Sequence, residues 1–247
     1  MRTKHLVATL GANYKMYLME AFGLAIFMVS ACFCWALIAS DQSPISALFV
    51  SDFSKLATMG VAMGLTALFI FYSPWTSPSG AHINPAVTLV FYRLGQINTV
   101  DTVFYILFQF LGGTLAVYLM KVLMNGMLTE PAINYVVTVP GEYGVLGALL
   151  MEFSIAFVMI TMVLYTSGHP KLQRFTKVFA GVLVCTYVVV SGPISGFGMN
   201  PARSFASALP AHTWTAFWIY IIVPIAGMLT AAEVHLLSKK KEKNAKV

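Results

Sequence analysis

The tripeptide Asn-Pro-Ala occurs twice, at Asn84-Pro85-Ala86 and at Asn200-Pro201-Ala202, and each copy heads an apolar segment of only about ten residues, where a membrane span needs ~20. Asn is a favoured helix N-cap, and Pro is favoured at the first helical position because its missing N–H would be unpaired there anyway. Each tripeptide therefore reads as the start of a helix that enters the membrane partway and stops. Free N–H groups at such a start are tolerated at that depth only where protein or a water-filled cavity surrounds them. The small residues just upstream, Ser79-Gly80-Ala81-His82 and Gly196-Phe197-Gly198, suit tight re-entrant loops. One copy alone would be an ordinary helix cap. Two copies in corresponding places point to paired half-helices.

The rest of the chain supplies the membrane. Of its 247 residues 58% are hydrophobic and 10% charged, too few polar groups to cover a soluble globule of this size. Apolar runs at about 14–40, 54–73, 99–124, 143–167, 174–192 and 213–237 each fit one span, so a single membrane domain over 1–247 is expected. The first run holds Glu20 and continues past Trp35 without a small-residue cleavage site, so it reads as a retained helix.

An even number of spans puts both termini on one side. On that side fall Arg2, Lys4, Lys15, Arg93, Lys171, Arg174, Lys177 and the tail lysines 239, 240, 241, 243 and 246, against Lys55 and Lys121 opposite. The positive-inside rule makes that side cytoplasmic. The net charge of +6 thus needs no nucleic-acid partner, and the basic tail 238–247 lies beside anionic lipid. Short loops and tails suggest a plasma-membrane or bacterial inner-membrane protein.

The chain also repeats. Leu18-Met19-Glu20 in the first long run corresponds to Leu150-Met151-Glu152 in the fourth, and each half then holds further spans and one half-helix. Repeat one covers about 10–125 and repeat two about 143–237. Three spans per half invert the second repeat, an arrangement that places a functional site at the midplane between the halves. The expected fold class is an all-α membrane protein of six transmembrane helices plus two re-entrant half-helices.

These stretches resemble the aquaporin, or major intrinsic protein, family. The likeness is carried by Ser79-Gly80-Ala81-His82-Ile83-Asn84-Pro85-Ala86-Val87-Thr88 and Gly198-Met199-Asn200-Pro201-Ala202-Arg203-Ser204-Phe205, with Glu20, Glu152, Gln109 and Gly112-Gly113 in support. It covers essentially the whole chain. The resemblance implies a passive channel, a homotetramer with one pore per subunit, without cofactor. It further implies that Glu20 and Glu152 buttress the re-entrant loops and that Arg203 lines a selectivity constriction. By the residues themselves, opposed half-helix N-termini raise a barrier to cations at the midplane, and the Asn84 and Asn200 amides can donate to passing water. An intramembrane Arg such as Arg203 marks a functional site by default.

The family spacing, counted back from Arg203, puts Phe197 and Val188 at the constriction and leaves the fourth position between Met63 and Gly64. Water-selective members usually carry His where Val188 stands and a small residue where Phe197 stands. Val and Phe make a more apolar lining that suits a polyol's carbon chain, whereas Ser204 and Ala208 match water channels. Water is the expected permeant, with glycerol or another small neutral solute beside it.

A secondary transporter also uses inverted repeats, and Glu20 and Glu152 are the acids that could couple it. An enzyme is not expected, because no nucleophile–base set is visible. Cys32, Cys34 and Cys185 lie singly in apolar runs, without metal-site spacing. His82 reads as a loop-packing residue that could alternatively sense pH.

Overall fold

The computed structural model describes residues 2–124 and 126–245, with the side chains of residues 2–8, 242 and 243 left aside. Among the basic residues assigned above to the cytoplasmic face, Lys246 and the side chains of Arg2, Lys4 and Lys243 lie outside what is described.

Among the described residues eight α-helices follow one another: α1 Arg2–Ala39, α2 Asp52–Tyr72, α3 Pro85–Arg93, α4 Thr99–Leu123, α5 Gly144–Ser167, α6 Thr176–Ser195, α7 Pro201–Ala211 and α8 Phe217–Asn244. Six of them, all but α3 and α7, are long and apolar enough to cross a membrane. The protein is an integral, multi-pass, all-α membrane protein. The two short helices are those headed by Asn-Pro-Ala, with 9 and 11 residues.

Element ends differ from the sequence reading where apolarity and helicity part company. Helix α1 begins at Arg2 rather than near residue 14, because nothing between them breaks a helix and Gly11 only weakens it. Helix α6 runs through Pro193 to Ser195, where Gly196 at φ 75° caps it and donates its N–H to Gly192 O at 2.9 Å. Helix α8 starts at Phe217 rather than 213, after His212 closes α7 in the left-handed region at φ 50°.

The helices pack in a pattern that repeats between the halves: α1 lies against α4, α5 against α8, and α2 meets α6 across the two halves. Glycines set the close approaches, as small residues do where helices meet in lipid. A Cβ on Gly112 of α4 would fall 2.1 Å from Ala21 O on α1, and a Cβ on Gly227 of α8 would fall 2.7 Å from Phe153 O on α5. Ala21 and Phe153 are the residues that follow Glu20 and Glu152, so each contact fixes the turn that carries its acid. Gly112→Val is therefore expected to cost at least about 1–3 kcal/mol through overpacking. Melting in detergent checks it against Gly11→Ala, a helical site with nothing within 4 Å, which should melt with the parent or slightly above it because Ala is the better helix former.

Candidate functional site: a passage between two half-helices

Each re-entrant loop is built on one backbone recipe. Counting back from its Asn, the residues four, three and one positions earlier are left-handed: Gly80 (φ 92°), Ala81 (48°) and Ile83 (44°) before Asn84, and Gly196 (75°), Phe197 (50°) and Met199 (49°) before Asn200. Glycine takes such angles freely, but Ile, Phe and Met do so only when their surroundings hold them.

The holding group in each half is a fully buried glutamate. Glu20 accepts from the backbone N–H of His82 (2.9 Å) and Ile83 (2.5 Å) and from Ser79 Oγ (2.7 Å). Glu152 accepts from the backbone N–H of Gly198 (2.8 Å) and Met199 (2.5 Å) and from Ser195 Oγ (2.7 Å). The donors stand five, two and one positions before each Asn. Glu20 has one more partner, Gln109 Nε2 at 2.8 Å, which also donates to Thr88 Oγ1 at 3.0 Å. The sequence reading did not single out Ser79 and Ser195 as donors. Their equal spacing from the two Asn residues was the signal available.

The two loops then bond to each other. Asn84 Nδ2 donates to Met199 O at 2.9 Å, and Asn200 Nδ2 donates to Ile83 O at 2.7 Å. The amide oxygens cap the half-helices: Asn84 Oδ1 accepts from Ala86 N at 2.9 Å, and Asn200 Oδ1 from Ala202 N at 3.0 Å and Arg203 N at 3.2 Å. Pro85 and Pro201 occupy the first helical turn, and Ala86 and Ala202 are fully buried beneath it. A carboxamide has two N–H donors. With one spent across the loops, each Asn keeps one for another acceptor. The N-termini of α3 and α7 face one another here, positive end to positive end.

One cavity reaches this junction and a second lies beside it. One, of about 220 Å³, opens on the side of the chain termini and is walled by Phe71, His82, Val87, Phe91, Lys177 and Val184 among others, with Asn84 and Asn200 at its floor. The other, of about 270 Å³, opens on the opposite side and is lined by Met63, Val188, Phe197 and Arg203 together with Trp35 and Asn134. Phe27 and Phe197 line both cavities, so the two meet there. Phe27 of α1 went unnoticed in the sequence because one more Phe in an apolar run carries no signal.

Of the two candidates for the fourth lining position, Met63 faces the cavity. Gly64 does not, since a Cβ there would lie 2.9 Å from Gly181 O and from Cys185 Cβ, against α6. Arg203 is 8% exposed, and its Nη1 is buried without a hydrogen-bond partner. His82 stacks on Phe91 (centroids 4.5 Å apart) with Nδ1 3.2 Å from Thr88 Oγ1, a packed position in the loop. Among the described residues no His, Cys, Asp and Glu cluster could hold a metal ion.

A multi-pass membrane protein of inverted halves, with two half-helices meeting head to head between opposed cavities, is the class these features define. The major intrinsic protein family model matches residues 8–235. Aquaporin TIP2-1 of Arabidopsis thaliana is 32% identical over 222 residues, 87% of this chain and 84% of that protein. A probable TIP-type aquaporin of Nicotiana tabacum, RB7-5A, is 32% identical over 224 residues, 89% of this chain and 87% of its own. Among solved structures, the aquaglyceroporin from Plasmodium falciparum superposes with a TM-score of 0.72 at 17% identity, covering 89% of this chain and 94% of that one, a likeness of fold. The chain belongs to the major intrinsic protein family.

Proposed function

We propose that this protein is a passive channel, not an enzyme, that conducts water and small neutral solutes such as glycerol and holds back protons and ions. The observation that carries the reading is the junction of the half-helices, where the Asn84 and Asn200 amides are fixed by reciprocal bonds to Met199 O and Ile83 O. Each amide keeps one N–H for the oxygen of a passing water. A water held by both cannot relay a proton in either direction, and the facing helix N-termini repel a hydronium or metal cation. The names of the relatives, aquaporins and an aquaglyceroporin, agree with water and small solutes as permeants.

Glu20 and Glu152 fit a buttressing role rather than ion coupling, because their oxygens are engaged by donors from the loops. Met63, Val188, Phe197 and Arg203 make a constriction with three apolar sides and one cationic one. Such a wall takes a polyol's carbons on one side and its hydroxyls on the other. Both termini face the cytoplasm by the positive-inside rule, the whole chain acts as one channel domain, and the working form is a homotetramer with one pore per subunit.

Stopped-flow swelling of proteoliposomes tests the class. A channel gives fast osmotic water flux with weak temperature dependence and no response to a proton or sodium gradient; solute accumulation driven by a gradient would reject it. In the same preparation, Val188→His is expected to lower glycerol flux by about tenfold, the equivalent of ~1.4 kcal/mol, while preserving water flux. The imidazole narrows the passage and restores a polar edge opposite Phe197. Unchanged glycerol flux would remove Val188 from the constriction.

A further inference from the structure

The segment 130–141 crosses the mouth of the cavity that holds Arg203, and it is fastened at three points. At its start, Glu130 Oε1 accepts from Ser40 Oγ (2.8 Å) and Gln42 Nε2 (2.7 Å), and Oε2 accepts from the backbone N–H of Asp41 (3.0 Å). These donors all belong to the turn after α1. Two residues further on, Trp35 Nε1 donates to Ala132 O at 3.0 Å. At its end, Gly141 N donates to Ile194 O at 3.0 Å, so close to α6 that a Cβ on Gly141 would fall 1.8 Å from Pro193 O.

Between these points the strap is shaped by Glu130 as well as tethered by it. Glu130 O accepts from Ile133 N (2.9 Å) and Asn134 N (2.8 Å), and the three residues that follow in one turn, Asn134, Tyr135 and Val136, are all left-handed at φ 37°, 53° and 51°. Three consecutive non-glycine residues at positive φ are strained and hold only if the ends are fixed. The strap's far part touches the constriction: a Cβ on Gly196 would lie 3.1 Å from Thr138 Cα and 3.3 Å from Val139 N, and Gly196 precedes Phe197. Pro131, Ala132, Ile133 and Asn134 themselves line the mouth.

We propose that Glu130 is a positioning residue for solute selectivity. By clasping the Ser40–Gln42 turn it holds the strap across the mouth, and the strap's Thr138–Val139 backs Gly196–Phe197, fixing the width of the passage. No ion pair to it is found among the described residues, and the three partners of its side chain are neutral donors. A carboxylate suits that place because it only accepts, and three donors converge on it. A Gln at 130 would set an NH₂ against at least one of them. The loosened strap then lets Phe197 retreat and admits larger neutral solutes.

This inference rests on the channel reading, and the test separates the two. In proteoliposomes, glycerol and water permeabilities are measured together for the parent, Glu130→Gln, Gln42→Ala and the double exchange Glu130→Gln with Gln42→Glu. Parent vesicles that swell no faster than empty ones would defeat the channel reading itself. Given parent water flux, Glu130→Gln is expected to raise the glycerol-to-water ratio by about threefold or more. Gln42→Ala, an exposed site that needs no refolding of the core, moves it the same way by less. The exchange, which returns a carboxylate–amide pair with the partners reversed, brings the ratio back towards the parent. A fall in the number of active channels leaves this ratio unmoved, so it reports width rather than folding. An unchanged ratio in both Glu130→Gln and Gln42→Ala would overturn the proposal.

Discussion

Glu152→Ala is expected to yield little or no folded protein. The substitution strands two donors, the backbone N–H groups of Gly198 and Met199, beside a fully buried position, and leaves Ser195 Oγ with Ser191 O at 3.3 Å alone. Each buried donor left without a partner costs about 1–3 kcal/mol, so the pair removes a large share of the margin of ~5–15 kcal/mol by which a domain stays folded. The left-handed Phe197 and Met199 lose the anchor that holds them, and the Asn200 amide loses its register with Ile83 O. Glu20→Ala strands the His82 and Ile83 N–H groups, while Ser79 Oγ keeps Thr76 O and Gln109 Nε2 keeps Thr88 Oγ1, and it behaves alike. Glu152→Gln separates buttressing from ion coupling. Its remaining carbonyl oxygen serves Ser195 and Gly198 while its NH₂ meets the Met199 N–H, a loss of about 1–3 kcal/mol. Buttressing predicts a lower melting temperature in detergent and retained passive water flux. A Glu152→Ala protein that elutes as a single species, melts with the parent and conducts water would show that the loop stands without its acid.

Much of this arrangement was legible in the residues, and the physics explains which part. Span number and half-helix length follow from apolar run lengths, because lipid tests every residue of a run. The cap and first turn of α3 and α7 follow from Asn and Pro because those preferences are local. What depended on tertiary contact was not legible. Ala81, Ile83, Phe197 and Met199 have no intrinsic reason to take positive φ and do so because Glu20 and Glu152 hold the adjacent N–H groups. The choice between Met63 and Gly64 turned on the rotational phase of α2. Counting along the chain could not fix it across the loop of Pro74, Trp75 and Pro78. Helix ends went astray where a helix outlasts its apolar stretch, as α1 does towards Arg2. Glu130 carries no local signal of its role, since its donors lie about ninety residues away in sequence at Ser40, Asp41 and Gln42.

Replacing Arg203 by Val is expected to open a cation leak. Arg203 reaches the cavity beside Met63, Val188 and Phe197, and its buried Nη1 has no protein partner. On the channel reading proposed above, the guanidinium donates to permeant oxygens and repels cations from the same spot. A unit positive charge about 4 Å from a permeating monovalent cation raises its energy by roughly 4 kcal/mol at an effective dielectric constant of ~20. Each 1.4 kcal/mol is tenfold, so this step is slowed by a factor on the order of a thousand. The facing N-termini of α3 and α7 remain as a second barrier and set the leak that survives, so the net rise in proton or sodium flux is smaller, about tenfold or more. Val also shortens the side chain, and glycerol flux should rise with the leak. Arg203→Lys supplies the control, because an ammonium keeps the charge but gives up the planar fork of donors. It is expected to stay tight to cations while its selectivity among neutral solutes changes. Dye-reported proton uptake in proteoliposomes reads both variants. If Arg203→Val vesicles hold a pH gradient as long as the parent does, the half-helix junction alone excludes charge and Arg203 acts on neutral solutes only.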